Sequence, residues 1–133
     1  MRLKKYTPDT VGKQKRGEAF VKMNAVGLIT FSSLAGDLTG IEHGTRLEFC
    51  RDEDRPHDWY IHITKADEGF KVWQNRSSGT LSVNSVGMVR EIFSDIDMLE
   101  SKAAFMISAY PVELNGEKFW RIMTDNNLKT GVR

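Results

Sequence analysis

Alternation of apolar and polar residues in short segments limits most strongly what this 133-residue chain can fold into. In DWYIHITKA and GFKVWQN, apolar side chains recur at every second position, which is the period of a β-strand with one buried face. The loop DEDRPHD, between RLEFCRDE and DWYIHITKA, carries charges and Pro56, which a central strand does not accommodate. The pattern predicts short strands in a mainly antiparallel sheet.

Two segments follow the helical period instead. In SSLAGDLTGI, a serine can cap a short helix, and Gly40 is expected to end it. In SVGMVREIFSDI, one stripe of the helix carries the apolar residues Val86, Val89, Ile92, Phe93 and Ile96. Strands combined with helices predict the α+β class.

The similarity of LITFSSLAGDL and TLSVNSVGMVR indicates an internal repeat. The alignment places Ile29 over Leu81, Phe31 over Val83, Ser33 over Ser85 and Leu34 over Val86. Each segment precedes a predicted two-strand hairpin whose second strand carries a tryptophan, and the last hairpin turns at Asn115-Gly116. We therefore expect two β-α-β-β repeats, at about 27–65 and 79–124, packed around a shared, mainly antiparallel sheet or a small barrel.

Residues 1–17 are predicted to form a flexible basic arm, residues 18–125 a single domain and residues 126–133 a polar tail. The cations of the arm include Lys4, Lys5, Lys13, Lys15 and Arg16. Because the whole chain carries a net charge of only +1, this positive charge is local. Such an arm can contact phosphates without sequence preference, and the alternative is a solubilising terminus.

Composition places the chain among globular proteins, with 40% hydrophobic and 28% charged residues. No apolar run approaches the roughly 18 residues that cross a bilayer, so no membrane partner is expected. The basic N-terminus lacks the apolar region of a secretory signal. A single cysteine, Cys50, excludes an internal disulfide framework and fits a reducing compartment, so we expect a cytoplasmic location.

No catalytic signature is present in the sequence. There is no phosphate-binding lysine motif, no nucleophile elbow and no dinucleotide fingerprint. The three histidines are dispersed and only one cysteine accompanies them, so the spacing of a zinc site is missing. The sequence therefore predicts a protein that is not an enzyme and has neither metal nor cofactor.

Strand alternation assembles a candidate binding surface. Opposite the apolar face, the three central strands would present Arg46, Tyr60, His62, Lys71 and Trp73. Aromatic rings stack on unpaired bases and cations neutralise phosphates, so this combination is typical of a single-strand platform. Arg76, in the turn after Trp73, would add a further cation. The alternative is that Trp73 is buried against a helix or a subunit interface.

Residues 27–49, GLITFSSLAGDLTGIEHGTRLEF, resemble the AbrB/MraZ type of swapped-hairpin transcription factors. The matching positions are Gly27, Ile29, Phe31, Leu34, Leu38, Ile41, Gly44 and Leu47. At Ala25-Val26 and Gly36-Asp37 the chain lacks the arginines of that family. Residues 45–96, four predicted strands followed by one helix, are similar instead to a PUR-type repeat that binds single-stranded nucleic acid.

These observations predict a non-catalytic nucleic-acid-binding protein that uses the aromatic and basic strand face together with the arm. The ligand can be single-stranded or duplex, and the sequence does not distinguish DNA from RNA. The alternative is a protein–protein interaction or assembly module without nucleic-acid binding. A homodimer is expected in either case, because small sheets with exposed edges tend to pair.

Overall fold

The computed structural model describes residues 1–3 and 18–125. Within these ranges ten strands and two helices follow one another along the chain. They are β1 (Phe20–Asn24), β2 (Leu28–Phe31), α1 (Ser33–Thr39), β3 (Arg46–Arg51), β4 (Trp59–Thr64), β5 (Phe70–Lys71), β6 (Trp73–Gln74), β7 (Leu81–Asn84), α2 (Val86–Asp95), β8 (Lys102–Met106), β9 (Val112–Leu114) and β10 (Glu117–Ile122). The predicted arm cations lie outside the described residues.

The strands form two five-stranded antiparallel sheets. Sheet A has the order β6-β7-β2-β1-β8, and sheet B has the order β5-β3-β4-β10-β9. The predicted α+β class and the antiparallel pairing are thus confirmed. The division of the chain into two β-α-β-β repeats stays a prediction. None of the helices in the described part of the chain is long and apolar enough to span a membrane.

A single cluster of buried apolar side chains joins both sheets and α2. Sheet A contributes Val21 and Ile29, sheet B contributes Leu47 and Ile61, and α2 contributes Ile92, all of which are completely buried. Alternation explains this placement. Lys22 directly follows Val21 and Thr30 directly follows Ile29, so the side chains of Lys22 and Thr30 point to the opposite side of sheet A. The strand pattern predicted the core side of most strands, but in β4 Ile63, on the predicted apolar face, is 36% exposed, whereas His62, on the opposite face, is 8% exposed.

Both helices begin at a serine whose side chain caps the first turn. Ser32 Oγ accepts a hydrogen bond of 3.1 Å from the Ala35 N–H, and Ser85 Oγ accepts one of 3.1 Å from the Met88 N–H. Helix α1 ends at Gly40, as predicted, where φ is 84°. The sequence alignment placed Ser33 opposite Ser85, whereas the two capping residues are Ser32 and Ser85.

The predicted strand GFKVWQN changes sheets in the middle. Its first half, β5, pairs with β3 in sheet B, and its second half, β6, pairs with β7 in sheet A. Val72 lies between them with no exposed surface. Its N–H donates to the Thr45 carbonyl at 2.8 Å, and its carbonyl accepts from the Gly44 N–H at 2.8 Å. Both sheets therefore meet at Val72.

Two further strand assignments differ from the sequence prediction. The segment KAAFMISAYPVEL, predicted as one strand of the closing hairpin, is divided into β8 in sheet A and β9 in sheet B. Pro111, directly before β9, separates the two strands. The turn at Asn115-Gly116 is confirmed, with φ of 55° and 80° joining β9 to β10. Strand β1 was not predicted as an element of its own.

Candidate nucleic-acid interface

Trp73 is a surface residue, with 54% of its area exposed. The Lys71 Nζ lies 4.3 Å from the centroid of the indole ring, a cation–π contact. On another side, the His43 ring meets the indole edge-on, with 5.5 Å between ring centroids. The sequence left open whether Trp73 is buried, and the structure shows that it is exposed and held by two neighbours.

The backbone beside Trp73 fixes these neighbours in place. His43 Nδ1 accepts a hydrogen bond of 3.1 Å from the Gln74 N–H, so this nitrogen carries no proton in the contact. Arg46 stands opposite Lys71 in the pairing of β3 with β5. Its Nη1 donates to the carbonyls of Asp67 and Gly69, each at 3.1 Å, so the guanidinium supports the turn that leads into β5.

Trp73 begins a row of side chains that crosses the whole of sheet A. The strand registers align Trp73 with Ser82, Ser82 with Thr30, Thr30 with Lys22 and Lys22 with Ala104. Trp73, Ser82, Thr30 and Lys22 are exposed or partly exposed and define the sheet A face, whereas Ala104 at the end of the row is buried. Since strands are about 4.8 Å apart, Trp73 and Lys22 are separated by about 14 Å. The aromatic ring of Trp73 and the ammonium group of Lys22 thus belong to the same cross-strand row.

The two sheets differ in their acidic residues. The strands of sheet A contain the cations Lys22 and Lys102 and neither aspartate nor glutamate. The strands of sheet B contain Glu48, Glu113 and Glu117 together with five cations, Arg46, Arg51, Lys71, Lys118 and Arg121. The two sheets therefore do not differ in the net charge of their strands, and what distinguishes sheet A is that its strands carry no carboxylate to repel a phosphate.

His62 of the predicted surface lies on sheet B and is only 8% exposed. Its Nδ1 is 3.0 Å from Oε1 of Glu48, and its Nε2 is 3.4 Å from Oε2 of Glu117. The ring stacks on Phe119, with 4.6 Å between centroids. Both ring nitrogens thus face carboxylates, which is a poor setting for phosphate.

Tyr60 also lies on sheet B, half-buried between Cys50 of β3 and Arg121 of β10. Burial and, to a smaller extent, the negative charge of Glu48 raise the pKa of the Cys50 thiol. The thiol therefore remains protonated at neutral pH, and its position offers no activated nucleophile. The structure does not bring Tyr60 and His62 together with Trp73, because the chain passes from sheet B to sheet A at Val72.

Arg76 lies in the turn that connects β6 to β7 and is exposed. The turn is ordered by Asn75, whose Oδ1 accepts hydrogen bonds from the N–H groups of Ser77 at 2.9 Å and Ser78 at 3.1 Å. This Asx turn presents Arg76 three residues after Trp73. Of the predicted site residues, Lys71 and Trp73 are in contact, and Arg76 lies in the turn that follows the Trp73 strand.

Sequence reasoning missed four residues of this surface: Lys22, Thr30, His43 and Ser82. Lys22 carried a usable signal, because it lies between the apolar residues Val21 and Met23 in the pattern of an alternating strand. No sequence signal predicted the row as a whole, because the row depends on the order of four strands that are distant in sequence. His43 reaches Trp73 only through the contact between the 42–45 turn and β6.

Comparisons with known proteins give no match: no family model, no curated protein and no solved structure matches this chain. The resemblances of residues 27–49 and 45–96 stay predictions, because no match bears on either of them. In residues 1–3 and 18–125, no three His, Cys, Asp or Glu side chains are grouped so that they could hold a metal ion.

Proposed function

We propose that this protein binds single-stranded nucleic acid across the sheet A face, without catalysis. The observation that carries the proposal is the row from Trp73 through Ser82 and Thr30 to Lys22, on a sheet whose strands contain no acidic residue. Stacking on an exposed indole requires an unpaired base, which favours a single strand over a duplex.

The indole of Trp73 supplies the stacking surface. Because Lys71 and His43 already contact the ring, little side-chain entropy is lost when a base packs on it. Stacking of a base on an aromatic side chain is worth about 1–3 kcal/mol. The Lys71 ammonium lies over one face of the ring, so a base is expected to stack on the opposite face, and the ammonium can contact a phosphate of the bound strand.

Cations along the face extend the contact. Lys22 and Lys102 lie on strands of sheet A, and Arg76 lies in the turn after Trp73. The arm would add sequence-independent phosphate contacts through Lys4, Lys5, Lys13, Lys15 and Arg16. We leave Tyr60 and His62 out of the proposed path, because they lie on sheet B and His62 faces two carboxylates.

Fluorescence anisotropy of a labelled single-stranded oligonucleotide tests this function. Trp73→Ala is expected to weaken binding about 5-fold to 150-fold, the equivalent of one lost stacking contact. Tyr110→Ala is the matched control, because Tyr110 is an 84% exposed aromatic residue outside the sheet A face. Equal affinities of the wild type and Trp73→Ala, or an equal loss in both variants, would contradict the proposal.

An assembly module is the second candidate, and the free edge of sheet B favours it. Strand β9 is the last strand of that sheet, and its Val112 and Leu114 are 51% and 59% exposed. An exposed apolar edge strand can pair with a second copy of the chain, which would give a homodimer. A dimer that Leu114→Lys converts to monomer, in a protein that binds no oligonucleotide, would favour this candidate.

We also propose that the chain consists of two related β-α-β-β units. Strands β2 and β7 are antiparallel neighbours, and each is followed by a serine-capped helix. A two-fold relation between these halves would explain why the caps at Ser32 and Ser85 take the same form. The capping serines are offset by one residue from the sequence alignment. The proposed relation between the two units is therefore based on the two helix caps and not on the aligned residues.

A cytoplasmic location remains part of the proposal. It rests on the single cysteine of the sequence, since Cys50 is free and half-buried. Fractionation of cells that express the tagged chain would test it directly.

A further inference from the structure

A groove of about 610 Å³ opens at the end of sheet A, between α1 and the β6–β7 turn. Lys22 and Thr30, two members of the row, form part of its lining, whereas Trp73 and Ser82 do not line it. Gln74, the residue directly after Trp73, and Thr80 line it from the side of the β6–β7 turn. The volume falls within the range of small-molecule pockets, so the groove has room for at least one nucleotide. A strand stacked on Trp73 would lead its neighbouring nucleotide into this groove.

The groove has opposite charges in different parts of its lining. Lys22 on β1 is a cation, whereas Asp37 of α1 and Glu42 of the following turn contribute carboxylates. A carboxylate repels phosphate, but it accepts hydrogen bonds from the exocyclic amino groups of bases, as in its pairing with cytosine N4. A nucleotide therefore fits with its phosphate towards Lys22 and its base edge towards Glu42.

Glu42 is held in this position by the same turn that contacts Trp73. The Glu42 N–H donates to Thr45 Oγ1 at 3.0 Å, and the Thr45 N–H donates to the Glu42 carbonyl at 3.1 Å. His43, the next residue, accepts the hydrogen bond from the Gln74 N–H. The backbone of Glu42 is thus fixed relative to the indole, which is what a base-reading residue next to a stacking platform requires.

We propose that this groove receives an unpaired base with an exocyclic amino group, cytosine, adenine or guanine rather than thymine or uracil, and that Glu42 accepts its amino hydrogen bond. This inference rests on the proposed function, because it assumes that a single strand lies on the sheet A face. It adds a base preference that stacking on Trp73 alone would not produce, since every base has a stacking face.

Binding of oligo-dC and oligo-dT of equal length at neutral pH tests the inference. These two pyrimidine strands differ at the ring position that carries the amino group in cytosine. The wild type is expected to bind oligo-dC about five-fold more tightly, the lower end of the range for a base contact. Glu42→Ala, which removes the acceptor, should bring the ratio close to one. Glu113→Ala, which changes an exposed glutamate on β9, should leave the ratio unchanged.

Trp73→Ala separates this inference from the proposed function. It should weaken binding of both oligonucleotides and retain the preference for oligo-dC. Equal wild-type affinities, or a preference that Glu42→Ala leaves intact, would overturn the base-reading groove even if Trp73 proves essential. If neither oligonucleotide binds the wild type, the proposed function fails and the groove assignment fails with it.

Discussion

The indole N–H of Trp59 donates a hydrogen bond of 2.9 Å to Oδ2 of Asp95. Trp59 is the first residue of β4 and Asp95 is the last residue of α2, so this bond ties the end of the helix to sheet B. The other carboxylate oxygen, Oδ1, is 3.0 Å from Nη1 of Arg51 on β3. The C-terminus of a helix disfavours a negative charge. The hydrogen bonds from Trp59 and Arg51 therefore stabilise the Asp95 carboxylate at this position.

Asp95→Asn is expected to lower the free energy of unfolding at neutral pH by about 1.5–3 kcal/mol, the range for hydrogen bonds to a charged group. Burial alone would raise the pKa of Asp95, but hydrogen bonds from Trp59 and Arg51 and the nearby positive charges hold it below the usual value. A lowered pKa stabilises the fold above the unfolded-state pKa of about 3.9, and this stabilisation is lost as the pH falls through the folded-state pKa.

Urea denaturation at several pH values measures this effect. The difference between wild type and Asp95→Asn should be full at neutral pH and shrink in acid. Glu53→Gln, in the exposed loop between β3 and β4, should match the wild type at neutral pH. A difference between wild type and Asp95→Asn that does not depend on pH would refute the role of the ionised carboxylate.

Trp73→Ala should change the free energy of unfolding by no more than about 0.5 kcal/mol, because the side chain is exposed. Trp120→Ala should cost about 3–5 kcal/mol, since Trp120 is 7% exposed and belongs to the buried cluster. Thermal unfolding followed by circular dichroism compares the two variants. A large loss of stability in Trp73→Ala would show that the indole is structural and would remove the basis of the stacking platform.

Gly27→Ala should destabilise the protein by more than about 1 kcal/mol. Gly27 has a φ of 99°, and an added Cβ would lie 2.6 Å from the Val86 nitrogen at the start of α2. Gly87→Ala is the matched control, because a Cβ at Gly87 meets nothing within 4 Å and alanine is the better helix residue. The midpoint of chemical denaturation should therefore fall for Gly27→Ala and rise for Gly87→Ala. An unchanged midpoint in Gly27→Ala would mean that α2 can shift relative to the β1–β2 turn.

Lys22→Ala should make oligonucleotide binding less sensitive to salt. Loss of one phosphate contact on a single strand reduces the slope of log K against log salt concentration by about 0.7. Lys118→Ala, on the β10 strand of sheet B, removes an exposed lysine outside the proposed path and should leave the slope unchanged. The same slope for wild type and Lys22→Ala would place the phosphates away from β1.

Local sequence patterns predicted the core better than the candidate surface. Burial of Ile61 and Val72 follows from alternation, which depends only on neighbours along the chain, whereas alternation left open whether Trp73 is exposed. His62 is different, because its environment is set by Glu48 and Glu117 on the two strands that flank β4. Alternation identified its side of the strand but could not identify the residues beside it.

The interface was harder to predict because it depends on strand order. Lys22, Thr30, Ser82 and Trp73 come from four strands and meet only because β1, β2, β7 and β6 lie side by side. Nothing in the local pattern of GFKVWQN shows that Lys71 pairs in sheet B while Trp73 pairs in sheet A. Because the segment leaves sheet B and joins sheet A, the candidate surface lies on sheet A and not on the predicted face of sheet B.

The crossing at Val72 also couples the candidate surface to the unfolding of the whole molecule. The Val72 amide is bonded within the buried seam, so its hydrogen should exchange with solvent only when both sheets open together. Trp73 is the next residue along the chain. A ligand that binds only the folded protein at Trp73 should therefore slow exchange at Val72 by a factor of about one plus the ratio of the free ligand concentration to Kd, which makes one backbone amide a reporter of both binding and global stability.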